Sequence, residues 1–221
     1  MSWRPRKESL ARRRDRADTV RPILADLYPD LTVTLDCTTP LELIVATILS
    51  AQCTDERVNR VTPPLFERYP AAEDYANANQ TELEEQIRST GFFRNKAKNI
   101  QGMAARLVGH HDGEVPRTME ELTELPGVAR KTANVVLSNA FGIHAGVVVD
   151  THVKRVAWRL GLTPETDAVK VERDLMKVLP PEEWHPGAWR LLLHGRNRCR
   201  SRKPDCEGCE ISSHCPSAGR V

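Results

Sequence analysis

Leu125-Pro126-Gly127-Val128-Ala129-Arg130-Lys131-Thr132-Ala133-Asn134-Val135-Val136-Leu137 is the stretch from which the fold of this chain is read. Just upstream, Thr118 followed by Glu121 has capping-box spacing and starts a short helix that ends near Leu122. Pro126-Gly127 makes a tight turn. A second helix then runs from about Arg130 to Phe141, with Val135, Val136 and Leu137 as its apolar face and Gly142 as its stop. Together these form a helix-hairpin-helix over about 118–141. Its turn exposes backbone N–H groups at a helix N-terminus, where the peptide dipoles favour an anion such as phosphate. Gly127 lets the backbone approach that anion closely. Such a hairpin holds DNA by its backbone and reads no sequence.

Outward from the hairpin the pattern stays helical. Leu41 to Ala51 is apolar on most faces, as a buried helix is, with Pro40 placed for its first turn. Thr81 to Thr90 begins with a cap-like Thr81 and Glu84 three residues on, and Gly91 can end it. Asn95 to Val108 carries Ile100, Met103, Ala104 and Leu107 at helical intervals. Thr166 or Asp167 can cap Val169 to Leu179, which Pro180-Pro181 stops. Gly187 to Gly195 is another apolar helix. Strand-like alternation is absent, and the one β-branched run, Val147 to Val149, is short. The expected fold class is all-α.

The charge pattern adds a direction. The net charge of the 221 residues is only +2. Basic residues gather at both ends: Arg4, Arg6, Lys7, Arg12, Arg13, Arg14 and Arg16, then Arg190, Arg196, Arg198, Arg200, Arg202 and Lys203. Acids gather mid-chain, at Glu73 to Glu85 and Asp112 to Glu124. Both ends can face a polyanion while the middle faces away, although residues 1–16 read equally well as a solvated tail. No apolar run is long enough to span a membrane, and the start lacks the apolar core of a secretory signal. The expected location is the reducing cytoplasm. Four of the six cysteines, Cys199, Cys206, Cys209 and Cys215, stand with gaps of six, two and five residues. In a reducing compartment that cluster reads as a metal or iron–sulfur site.

Two further residues bear on chemistry. Lys131 stands in the first turn of the second hairpin helix. The positive dipole end, neighbouring Arg130 and partial burial would all disfavour its ammonium form, which suits a Schiff-base nucleophile. A lysine that only touches phosphate is the other reading. Asp150 follows the Val147–Val149 run at the start of another helix. It can be an N-cap, a carboxylate that assists proton transfer or steadies a cation on a sugar, or both.

These residues resemble the endonuclease III family of helix-hairpin-helix DNA glycosylases and abasic-site lyases. Four segments carry the likeness in the family's order: Leu49-Ser50-Ala51-Gln52-Cys53-Thr54-Asp55, Leu125 to Leu137, Val149-Asp150-Thr151-His152, and Leu193-His194-Gly195-Arg196 through Cys215. It runs from about Pro22 to Cys215. The resemblance implies a two-domain all-α protein, with a six-helix domain over 36–143 and a discontinuous domain of 1–35 and 144–221 that carries a [4Fe-4S] cluster. It implies that Lys131 is the nucleophile and Asp150 the catalytic carboxylate. Cys199, Cys206, Cys209 and Cys215 would ligate the cluster, and Gln52 would fill the gap left by an extruded nucleotide. The implied DNA contacts are Gln52, Phe92, Leu125, Gly127, Ala129, Arg130, Thr132, His152, Arg200, Arg202 and Lys203. The implied partner is duplex DNA with damaged bases or abasic sites, acted on by a monomer associated with the nucleoid. The implied reaction removes oxidised pyrimidines and cuts the strand 3′ of the site by β-elimination.

Two positions depart from the family's pattern. The hairpin's second glycine is Ala129 here, whose methyl group could hinder a positive φ or crowd the phosphate. Phe92-Phe93 stands where the family has an aliphatic wedge, so Phe92 reads either as a base-step wedge or as core. Cys37 and Cys53 read as small buried hydrophobes. An adenine-specific mismatch glycosylase shares the hairpin and cysteines but lacks the lysine and has a glutamate where Ala46 stands. A non-catalytic DNA-binding module with zinc would need neither Lys131 nor Asp150.

Overall fold

The computed structural model describes residues 8–31 and 34–221. Arg4, Arg6 and Lys7 of the expected basic start lie outside the described residues. The helices are α1 Leu10–Leu27, α2 Pro40–Leu49, α3 Asp55–Arg68, α4 Ala72–Ala76, α5 Gln80–Ile87, α6 Phe93–His110, α7 Met119–Thr123, α8 Arg130–Phe141, α9 Thr151–Arg159, α10 Ala168–Val178 and α11 Trp184–Asn197. Among the described residues there is no strand, so the all-α expectation holds. None of the described helices is long and apolar enough to cross a membrane.

The chain divides into two compact units, one of Thr32–Ala145 and one of Met1–Leu31 with Gly146–Val221. In the first, α2 is built as its sequence suggests. Thr39 and Glu42 cap each other reciprocally, Pro40 opens the first turn, and Leu43, Ile44, Val45, Ala46, Ile48 and Leu49 are buried. It packs on α3, α6 and α8. Helix α6 buries Ala97, Ile100, Met103, Ala104 and Leu107, and α4 lies against it. The hairpin α7–α8 is anchored in the same core by Leu122, Leu125, Val128, Val136 and Leu137. Each such side chain contributes about 1.5–3 kcal/mol by leaving water, so the turn between α7 and α8 is held on both flanks.

Two caps correct or complete the sequence reading. Helix α5 starts at Gln80, one residue before the expected Thr81. Its cap is Asn79, whose Oδ1 accepts from the N–H groups of Thr81 and Glu82. The short amide of Asn reaches two orphan donors at once, and Thr81 becomes a first-turn residue. For α10 the open choice resolves to Asp167, which accepts from Lys170 N–H.

In the second unit, α1 buries Ala17, Val20 and Leu24 and packs on α10 and α11. Its arginines serve their own unit. Arg13 Nη1 donates to Asp174 Oδ2 at 3.0 Å and to the Leu162 carbonyl at 3.3 Å. Arg14 Nε donates to the Lys177 carbonyl at 2.9 Å and Arg16 Nη1 to the Gly161 carbonyl at 3.1 Å. These carbonyls lie at or just past the C-terminal ends of α9 and α10, where cations are favoured. The expectation that this basic run faces a polyanion is therefore corrected for Arg13, Arg14 and Arg16. They fasten α1 to the ends of its neighbours.

Candidate active site and nucleic-acid interface

The hairpin turn needs its glycine. Gly127 has φ +77°, and a Cβ there would stand 2.7 Å from Asn99 Cβ. Backbone and side chain both exclude anything larger. Ala129 differs. Its φ is −82° with ψ 167°, ordinary extended backbone, and it is exposed as the N-cap of α8. The expected hindrance to a positive φ is thus absent. Leu125 is buried, so its side chain serves the core and only its backbone can meet a ligand. Thr132 is half-buried. Lys131 is exposed in the first turn of α8, so the partial burial expected of it is not found.

A cavity of about 210 Å³ opens beside this turn, lined by Gln52, Phe92, Asn95, Lys96, Asn99, Gly127 and Thr132 among others. Gln52 and Phe92 are exposed on it, and both hold a left-handed backbone, φ +54° and +49°. Phe92 is 65 % exposed, which removes the reading of it as core. Phe93 packs on the core in its place. Left-handed backbone at bulky residues is uncommon and is tolerated where the surroundings enforce it, often at functional sites.

In the other unit Asp150 is the N-cap of α9. Its Oδ1 accepts from His152 N–H at 2.8 Å and Val153 N–H at 2.7 Å. Among the described residues no hydrogen bond reaches Oδ2. One oxygen therefore fixes the carboxylate and the other stays available. His152 is half-buried, with Arg155 Nη2 3.1 Å from its Nδ1.

The four C-terminal cysteines are free thiols that line one hollow, with Val156, Arg159, Leu160 and His194 among its other walls. About 380 Å³ there is not filled by atoms, part of it open to solvent. Burial pushes the Cys199 and Cys209 thiols up, and Arg159 opposes this at Cys199. Arg159 Nη1 donates to Cys199 Sγ at 3.4 Å. His194 Nε2 lies 3.5 Å from Cys209 Sγ. Burial lowers His194 to about 4, so it is neutral, with its Nδ1 facing the Tyr28 hydroxyl at 3.4 Å. If the hydroxyl donates to Nδ1, the ring N–H falls on Nε2 and points at Cys209.

Arg159 has no place in the sequence pattern and His194 appears there only within the family-like segment, without a role; the positive charge expected lies in the cysteine segment itself. There Arg198 is taken by Asp205 and Glu210, at 3.0 and 2.8 Å. Arg200, Arg202 and Lys203 are exposed, and among the described residues none forms an ion pair with them. Arg159 also donates to the carbonyls of Arg200 and Ser201, so it braces this basic loop as well as a thiol.

Comparison with known proteins agrees with this geometry. Residues 45–181 match the model of the HhH-GPD superfamily of base excision DNA repair proteins. An endonuclease III of Synechocystis is 58 % identical over 95 % of each chain. The chain belongs to the endonuclease III family. Two solved structures are similar at 44 % identity and a TM-score of 0.87, covering 93 % of this chain and 96 % of theirs. One is a non-covalent endonuclease III–DNA complex and the other a trapped endonuclease III–DNA covalent intermediate with an estranged adenine. As a member of the endonuclease III family this protein is a base excision repair enzyme, a DNA glycosylase and abasic-site lyase for oxidised pyrimidines. The family is one that carries a [4Fe-4S] cluster.

Proposed function

We propose that Lys131 is the Schiff-base nucleophile of this enzyme and Asp150 its catalytic carboxylate. The observation that carries the first assignment is an exposed lysine one turn beyond Gly127, on the helix whose N-terminus suits a DNA phosphate. The neutral amine of Lys131 attacks C1′ of the damaged nucleotide, and the C1′–N bond breaks as the base leaves with its electron pair and takes up a proton. The nitrogen lone pair then forms the C=N bond as the C1′–O4′ bond breaks. O4′ keeps that bond's electrons and takes up a proton to become a hydroxyl, and a protonated imine joins Lys131 to C1′. The imine acidifies the C2′ proton, and its removal expels the 3′-phosphate by β-elimination. Asp150, held through Oδ1, supplies a fixed anionic oxygen for the cation that develops on the sugar and for the proton transfers.

Before this chemistry, Gln52 and Phe92 act on the duplex. A damaged, weakly paired base is less costly to extrude. Phe92 enters the base step as a wedge and Gln52 fills the vacated gap; their exposure and left-handed backbone support that reading. The turn at Gly127, with Ala129, Arg130 and Thr132, holds phosphate. Arg200, Arg202 and Lys203 meet the backbone on the other unit.

Cys199, Cys206, Cys209 and Cys215 are the ligands of a [4Fe-4S] cluster in this proposal. All four face one hollow. Their spacing of six, two and five residues and the shared hollow support that reading. Bound there, the cluster ties four chain positions together and does not enter the reaction steps. The enzyme works in the cytoplasm on nucleoid DNA.

Borohydride trapping on abasic-site duplex tests the nucleophile. Wild type is expected to give a covalent adduct and Lys131→Ala none. An adduct with Lys131→Ala overturns the assignment. Iron analysis and visible absorption test the cluster, and a colourless protein with zinc alone overturns it.

A further inference from the structure

Lys96 is a charged residue with 4 % of its surface exposed. It stands in the first turn of α6, where the helix dipole disfavours a cation. Burial pushes its ammonium down from the ordinary lysine value, partly opposed by the nearby Cys53 thiol. Among the described residues no carboxylate pairs with it. What holds it instead is a pair of main-chain carbonyls: Nζ donates to Leu49 O at 2.7 Å and to Thr90 O at 2.9 Å.

Those two acceptors have something in common. Leu49 is the last residue of α2, and Thr90 is the last residue of a 3-10 turn, Arg88–Thr90. Carbonyls at such ends lack intrahelical partners and lie at the negative end of the peptide dipoles. Three residues after Leu49 comes Gln52, and two after Thr90 comes Phe92. Both have left-handed backbone, which persists only when its surroundings over-determine it. One buried ammonium thus joins the roots of the two turns, and all three residues line the same 210 Å³ cavity.

We propose that Lys96 is a positioning residue for base extrusion, clamping the Gln52 turn and the Phe92 turn at a fixed separation so that the two side chains enter the duplex as a pair. This rests on the reading that Gln52 and Phe92 act on the duplex. A clamp of this kind acts after encounter. The hairpin and the basic loop still hold phosphate without it, so its loss weakens the step in which the base leaves the stack.

A mutant cycle tests the clamp. Lys96→Met is made in wild type and in the Gln52→Ala/Phe92→Ala double variant, with helical content and iron checked in each. Turnover of a thymine glycol duplex is measured, and a 2-aminopurine beside the lesion reports unstacking. In wild type, Lys96→Met is expected to lower kcat by about tenfold or more with KM changed less than about threefold, and to reduce the fluorescence rise. In the double variant the same substitution is expected to cost less than about threefold, because residues that act through one another are not additive. An equal loss in both backgrounds, or none in either, overturns the clamp. A double variant that is as active as wild type removes the reading of Gln52 and Phe92, and the clamp with it. If Lys96→Met does not fold, Lys96→Gln, which keeps a donor, takes its place in the cycle, with an intermediate loss expected.

Discussion

Asp150 caps a helix and offers a free oxygen, and two substitutions separate these tasks. Asp150→Asn keeps an oxygen that can accept from His152 and Val153 N–H but removes the charge. Its melting temperature is expected to stay close to wild type while the rate of base release falls by about 10²-fold or more, the usual scale for acid–base or electrostatic assistance. Asp150→Ala also loses the cap, at about 1 kcal/mol. Equal rates for Asp150→Asn and wild type would leave Asp150 as a cap alone. A second pair of substitutions contrasts neighbours in the hairpin. Gly127→Ala forces a Cβ against Asn99 at a left-handed backbone and is expected to cost about 2 kcal/mol or more in a urea titration. Ala129→Gly changes an exposed residue at φ −82°, and a DNA affinity within about twofold of wild type is expected.

At the scale of elements, the loop from Cys199 to Cys206 and helix α1 look alike in sequence, both being rich in arginine. The structure gives them different work. Arg200 and Arg202 are exposed on a loop that Arg159 braces through two carbonyls, whereas Arg13, Arg14 and Arg16 are spent on carbonyls and Asp174. A double change of Arg200 and Arg202 to Ala is expected to weaken binding to all duplexes. The slope of log K against log salt should become shallower by about one for each phosphate that is no longer neutralised. Arg13→Ala should leave that slope unchanged and cost about 1–3 kcal/mol of stability through its missing charged hydrogen bonds. Equal slopes for all variants would take the loop out of the interface. The contrast also marks what local sequence could show. Pro40 in the first turn of α2, the caps at Thr118 and Asp150, the start of α8 and its stop at Gly142 depend on neighbours a few residues away, and all were legible. Helix α3 was not anticipated. It contains Pro63 and Pro64, and it persists because Val58, Thr62 and Leu65 bury one side. Lys96, Arg159 and His194 escaped for a related reason. Their partners are distant in the chain, with 47 residues separating Lys96 from Leu49 and 40 separating Arg159 from Cys199, and no periodicity encodes such pairings.

At the scale of the whole molecule, the two units differ in what holds them. The unit of Thr32–Ala145 has a continuous apolar core built from α2 to α8. The other unit has its own core from α1, α9, α10 and α11, but its final stretch is different. Beyond α11 it offers one short 3-10 turn, Ser212–His214, and one buried large apolar side chain, Ile211. The 3-10 turn also packs on α1, and Cys199, Cys209 and Cys215 lean on the core. Polar ties to α9 and α11 include Arg159 to Cys199 and to the carbonyls of Arg200 and Ser201, Arg155 to the carbonyl of Cys199, Ser217 to the carbonyl of Arg159, and His194 to Cys209. Limited apolar burial does little to offset the entropy of ordering such a segment, and under the proposed reading a cluster tying all four cysteines would add the missing constraint. Removal of iron by a chelator under oxidising conditions is therefore expected to strip hydrogen-exchange protection from residues 199–221 and from the end of α9 first. The amides of α2, α6 and α8 should keep theirs, because their core contains no cysteine ligand. Uniform loss of protection through both units would show that the cluster holds more than its own segment. Protection unchanged at 199–221 would show that the polar ties to Arg159 and His194 suffice, and that the four thiols are not what orders the basic loop.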